Sequence, residues 1–94
     1  MKYEIIPSST FKKDLKLAKK RGLNLSFLKR DIDLLAASDS PLPKKYKDHN
    51  LCGNYEGFRE CHIQPDWLLI YKKNQENLFL YLTRTGSHSD LFKK

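Results

Sequence analysis

Three histidines stand in the second half of this chain: His49, His62 and His88. Each has polar or charged neighbours. His49 follows Lys47-Asp48, His62 is followed four residues on by Asp66, and His88 lies four residues beyond Arg84. Imidazole titrates near neutrality, so it can both take and give a proton. Three imidazoles, a carboxylate and a guanidinium suffice for RNA cleavage without a metal. One group removes the proton of a 2′-OH, that oxygen attacks the adjacent phosphorus in line, and a second group protonates the departing 5′ oxygen. A cation offsets the charge growing on the phosphoryl oxygens, a role open to Arg84 and nearby lysines. The same residues can be read as a zinc site, since three histidines, or two with Asp66, are ligands enough. No HxH, HxxxH or HExxH spacing supports zinc, and neither metal nor cofactor is expected. Ordinary surface histidines with no joint role are the third reading of the same spacing.

Aromatic and basic residues surround these candidates. Trp67, Phe92 and Tyr55 can stack on unpaired bases, a contact worth about 1–3 kcal/mol each. Trp67 reads equally well as core. Phe92 is harder to place in a core, because terminal residues fray unless something holds them. Eighteen Lys and Arg against eleven Asp and Glu leave a net charge of +7 on 94 residues. That field favours polyanions: nucleic acid first, then an anionic membrane surface or an acidic protein. Lys12, Lys13, Lys16, Lys19 and Lys20 form one basic group, and Lys44, Lys45 and Lys47 a second beside His49. Phosphate contact is the functional reading of both, and solvated surface the plain one.

The elements that must position these residues follow from spacing. Tyr3–Ile6 is a short β-prone run closed by Pro7. Ser8, Ser9 and Thr10 offer N-cap oxygens, and Phe11, Leu15 and Ala18 then make one apolar stripe opposite the first lysine group. Gly22 is a natural stop. Asn24 can cap a second helix, in which Leu25, Leu28, Ile32 and Leu35 share a face. The short turn between them predicts an antiparallel helical hairpin. Ser38–Pro43 is a loop. Tyr55–Ile63, Trp67–Lys72 and Leu78–Thr83 are strand-length runs separated by short gaps, which predicts an antiparallel meander. Leu78, Leu80 and Leu82 are assigned to the core, leaving Phe79, Tyr81 and Thr83 on a face suited to binding. The tail from Gly86 is expected to make a last helical turn.

The order is β-α-α-β-β-β, an α+β layer with an antiparallel sheet packed against an N-terminal helical hairpin. Residues 1–94 are expected to form one domain. A hydrophobic content of 39% is that of a globular chain. No secretory signal and no run of transmembrane length is visible, and Cys52 and Cys61 fit no CxxC pattern. Free thiols in a reducing cytoplasm are the expectation.

Three blocks are more specific than any of this: Tyr46-Lys47-Asp48-His49-Asn50-Leu51-Cys52-Gly53, then Gly57-Phe58-Arg59-Glu60-Cys61-His62-Ile63-Gln64-Pro65-Asp66-Trp67, then Arg84-Thr85-Gly86-Ser87-His88-Ser89-Asp90-Leu91-Phe92. With Phe11-Lys12-Lys13-Asp14-Leu15-Lys16-Leu17-Ala18, they resemble the YafQ branch of the RelE superfamily over almost the whole chain. The resemblance implies a bacterial, cytoplasmic toxin of a type II toxin–antitoxin pair with a RelE-like fold. It implies a metal-independent endoribonuclease that cuts mRNA in the ribosomal A site. His49, His62, Asp66 and His88 would form the catalytic set, supported by Arg84, Trp67 and Phe92. His88 is the expected acid, and His62, His49 and Asp66 are candidates for the base. The implied partners are a cognate antitoxin, the ribosome and mRNA, with the toxin a monomer alone and a hetero-oligomer with its antitoxin. A gyrase-poisoning toxin of the same fold and a non-catalytic RNA- or ribosome-binding module are the competing functions.

Overall fold

The first helix starts where the sequence offers its cap: Ser8 takes the Phe11 amide on its hydroxyl at 2.9 Å. The computed structural model describes residues 1–40 and 42–92; Pro41 of the expected loop and the last two residues of the expected tail lie outside them. In chain order come β1 (Glu4–Pro7), α1 (Ser9–Lys20), α2 (Leu25–Ala37), β2 (His49–Asn50), β3 (Arg59–Gln64), β4 (Trp67–Asn74), β5 (Phe79–Gly86) and α3 (His88–Leu91). Gly22 ends α1 at φ +78°, where a side chain would be strained, and Asn24 caps α2 through the Ser26 amide. Short 3-10 turns cover Lys44–Tyr46 and Gly53–Tyr55.

The strands lie in the order β1-β5-β4-β3-β2. The expected meander of β3, β4 and β5 is present, but the sheet is not wholly antiparallel. β1 runs parallel to β5, with Ile5 opposite Leu80. Parallel neighbours need a long crossover, and here everything from α1 to β4 separates the two strands. Two further expectations are corrected. The run from Tyr55 becomes a strand only at Arg59, because a 3-10 turn and Gly57 at φ +91° interrupt it. Leu78 is not core: it takes a left-handed φ of +56° in the turn before β5 and is 38% exposed.

The sheet is covered by helices on one face and partly covered on the other. On one, α1 lies over β5 and α2 against β3. Phe11, Leu28, Leu35, Cys61, Leu69 and Leu80 belong to that core. On the other, Leu68 and Ile70 pack against Leu91 of α3, with Leu51, Tyr55, Phe58 and Phe92 at the margin. This second cluster is what brings the C-terminal segment back onto the sheet. Cys61 is a buried free thiol whose pKa is pushed up by that burial, and Cys52 is an exposed one. No helix among the described residues is long and apolar enough to cross a membrane.

Candidate active site

Strand parity builds the first half of the site. Glu60 and His62 are two apart on β3, so they share a face, and their partners across the ladder are Ile70 and Leu68 of the second cluster. His49 is the partner of Glu60 on β2. Glu60 is therefore a carboxylate set between two imidazoles. Its Oε1 lies 3.4 Å from Nε2 of His62 and 3.6 Å from Nε2 of His49, and the residue is only 4% exposed. The His49 ring is held from its other side, with Nδ1 2.6 Å from the Lys47 carbonyl. Lys47 itself is left-handed at φ +50°.

The hairpin and the last helix build the second half. Pro65 and Asp66 form the two-residue turn between β3 and β4, and a bulge lies between His62 and Gln64 just before it. Leu68 pairs with Gly86, so the chain beyond β5 emerges beside that turn. There Asp66 Oδ1 accepts the His88 amide at 3.0 Å and meets His88 Nδ1 at 2.7 Å. The His62 and His88 rings stand 5.8 Å apart, edge to face. All four expected catalytic residues thus belong to one chain of contacts: His49, Glu60, His62, His88, Asp66. Glu60 was absent from the expected set. Its signal was present in the sequence as the i, i+2 spacing to His62 on a strand.

Of the expected supporting residues, Trp67 is corrected. It is 3% exposed in the main core, and its indole N–H donates to Thr85 Oγ1 at 2.9 Å, so its faces are not open to a base. Trp67→Ala is expected to lower folding stability by about 3–5 kcal/mol, read from urea unfolding, with RNA affinity unchanged in the folded fraction. Phe92 is half-buried and edge-on to Tyr55 at 5.8 Å. Arg84 is not a free cation. Its Nε and Nη2 each donate to Asp14 at 2.9 Å, which, with the Tyr55 hydroxyl, holds its charge more firmly still. The eight lysines of both groups are exposed. Lys45 and Lys47, with Arg30, line a cleft of about 310 Å³ that reaches His62.

Two carboxylates around α3 are held below their usual range. Hydrogen bonds from the His88 amide and ring do this to Asp66, and Arg21 followed by the Ser87 amide does it more strongly to Asp90. A carboxylate with a depressed folded pKa stabilises fully above the unfolded value, about 3.9 for Asp, and loses that contribution as pH falls through the folded value. Asp90 is the more depressed, so acidification should free His88 from Asp66 before it frees α3 from Arg21. In an amide NMR titration below pH 4, the His88 resonance should move first and that of Leu91 later. Simultaneous movement would contradict the order.

One ligand atom each from Glu60, His62 and His88 lies within 4.8 Å of the other two, a spacing able to hold a metal ion. The donor set, two imidazoles and a carboxylate, suits zinc or copper.

Residues 3–93 match the family described as "Bacterial toxin of type II toxin-antitoxin system, YafQ". The chain is 45% identical over 85 residues to the mRNA interferase toxin YafQ of Escherichia coli K12, covering 90% of each. Its fold superposes on YafQ in the E. coli DinJ–YafQ toxin–antitoxin complex with a TM-score of 0.88 at 42% identity, covering 98% of this chain and 99% of that one. It superposes equally well on a metal-bound toxin from Helicobacter pylori, with a TM-score of 0.87 at 46% identity, covering 96% and 99%.

Proposed function

From the premise that the chain belongs to the YafQ family of type II toxin–antitoxin toxins, we propose that it is an mRNA interferase, an endoribonuclease that cuts mRNA in the ribosomal A site and so arrests translation. The observation that carries this reading is the line of contacts from His49 through Glu60 and His62 to His88 and Asp66. His62 takes the proton of the 2′-OH, the oxygen attacks phosphorus, and His88 gives a proton to the 5′ oxygen as the P–O bond breaks. The products are a 2′,3′-cyclic phosphate and a 5′-OH. Asp66 is the orienting group. It is ionised at neutral pH and a poor base, and by accepting from Nδ1 of His88 it leaves Nε2 facing the substrate. Glu60 offsets the positive charge that arrives on His62. Arg84 offers its remaining donors to the phosphoryl oxygens.

The basic surfaces supply affinity rather than chemistry. Lys12, Lys13, Lys16, Lys19 and Lys20 on α1, and Lys44, Lys45 and Lys47 beside the site, contact ribosomal RNA and the message, so binding weakens steeply with salt. The solved E. coli relative pairs with the antitoxin DinJ. By the same logic this toxin takes a cognate antitoxin that covers the basic site until it is removed.

The test uses antitoxin-free protein, programmed ribosomes and a defined message, with the new RNA ends mapped. Cleavage at A-site codons, absent on naked mRNA and absent with His62→Ala, is the expected result. Tight ribosome binding without cleavage would replace this reading with a binding module.

The triad of Glu60, His62 and His88 gives a second property. A zinc or copper ion held there would engage the lone pairs that move protons, and would act as an inhibitor. Pre-loading with zinc should slow cleavage, chelation of the toxin before assay should restore it, and Glu60→Gln should blunt the effect. Faster cleavage with zinc would sink the metal-independent chemistry altogether.

A further inference from the structure

We propose that Arg21, at the far end of α1, is a positioning residue for cleavage: through Asp90 it fixes the one-turn helix that carries His88 and Phe92 over the site. The inference rests on the reading of His88 as the proton donor. It begins with the size of α3. Four residues cannot hold a helix in water, because forming one turn fixes three residues for a single hydrogen bond. Something outside the helix must decide where it stands.

Asp90 is the point where that decision is made. Its backbone amide donates to the Ser87 hydroxyl at 3.1 Å, and its carboxylate accepts the Ser87 amide at 3.0 Å, closing a capping box over one turn. The same carboxylate takes two donors from Arg21, Nη1 at 2.6 Å and Nη2 at 3.2 Å. This is a fork-to-fork pair, which fixes direction as well as distance. Arg21 is itself anchored: it is the C-cap of α1, with its amide bonded to the Leu17 carbonyl at 3.0 Å. Gly86 leaves no slack, since a Cβ there would come within 3.0 Å of the Asp90 Cβ and Oδ2. α1 therefore reaches across 69 residues of sequence to orient the cap, and the cap orients His88 one residue after Ser87.

Exposure argues that the pair sets position and adds little to global stability. The Arg21 side chain is 46% exposed, and open ion pairs add little to folding. The burial of Leu91 keeps α3 near the sheet in any case. What the fork adds is the angle at which His88 is presented. Displacing a reacting group by an ångström can cost about a hundredfold in rate.

The alternative for an exposed arginine on this protein is a phosphate contact, and the two roles separate cleanly. Arg21→Gln, Asp90→Asn and the double variant would be compared with wild type in single-turnover cleavage on programmed ribosomes. Amide exchange would be followed at Leu91 and Phe92, whose amides bond Ser87 and His88 carbonyls. Positioning predicts a roughly ten- to hundredfold fall in the maximal rate for either single variant, with little change in the toxin concentration giving half-maximal rate. It also predicts a double variant no slower than the singles, and faster exchange at both amides. A phosphate contact predicts a raised half-saturation for Arg21→Gln alone, a shallower salt dependence, and normal or improved cleavage by Asp90→Asn. That pattern would overturn the proposal, as would additive losses. If wild type itself does not cleave, the proposed reaction fails and this role with it, while the exchange data still show whether Arg21 docks α3.

Discussion

His88→Gln is expected to lower single-turnover cleavage on programmed ribosomes by about 10²–10⁴-fold, while affinity for the ribosome should stay within a few-fold of wild type. Glutamine keeps a polar side chain that can still meet Asp66, so α3 is not released. What is lost is the proton held on Nε2 for the leaving 5′ oxygen. The geometry makes this the largest single effect. Asp66 holds both the amide and the Nδ1 of His88, so the ring has one free nitrogen and one orientation. Asp66→Asn should therefore give a smaller defect of the same kind, because an amide can still accept from Nδ1 but cannot offset the charge of an imidazolium. A His88→Gln protein that cleaves at the wild-type rate would remove His88 from the chemistry and point to His49 or to solvent as the proton source.

Periodicity made most of the fold legible, and its failures have local causes. The helices were readable because each carries both a cap and an apolar stripe: Ser8 with Phe11 and Ala18, Asn24 with Leu28, Ile32 and Leu35. The strand pattern misled where backbone conformation overrode hydrophobicity. Gly57 and Leu78 both take positive φ, which ends pairing whatever the side chains prefer. The parallel pairing of β1 with β5 was out of reach, because strand order depends on long-range packing that no local pattern records. The RelE-like α+β architecture was nonetheless recoverable from the family motifs, which span the helices and strands alike.

The site was legible in its histidines and in Asp66, and not in its other carboxylates. Histidine is rare enough to stand out, whereas Asp14, Glu60 and Asp90 look like any surface acid until topology places them. Each then pairs with a residue that matters: Asp14 with Arg84, Glu60 with His62, and Asp90 with Arg21. Trp67 shows the opposite error. A lone tryptophan beside an aspartate of the expected site invites a stacking role, yet its strand parity sends it into the helix-side core. A register counted from the turn at Pro65 and Asp66 would have misplaced Glu60 and His62 on the Trp67 face, because the bulge between His62 and Gln64 shifts the pairing so that His62 meets Leu68 and Glu60 meets Ile70.

Glu60→Gln is expected to slow cleavage by about ten- to a hundredfold with almost no change in fold or ribosome affinity. The substitution keeps shape and volume and removes only charge. Its contacts of 3.4 and 3.6 Å to the two imidazoles are longer than good hydrogen bonds, so Glu60 acts on them chiefly through its field. That field is strong because the carboxylate is screened from water, and in the proposed reaction it is aimed at the ring that becomes positive when His62 accepts the 2′-OH proton. The decisive measurement is the double variant. If Glu60 works through His62, Glu60→Gln should cost nothing further in a His62→Ala background, as expected of groups that act as one unit. If the losses instead multiply, Glu60 has a separate role, and His49 across the ladder becomes the residue through which it acts.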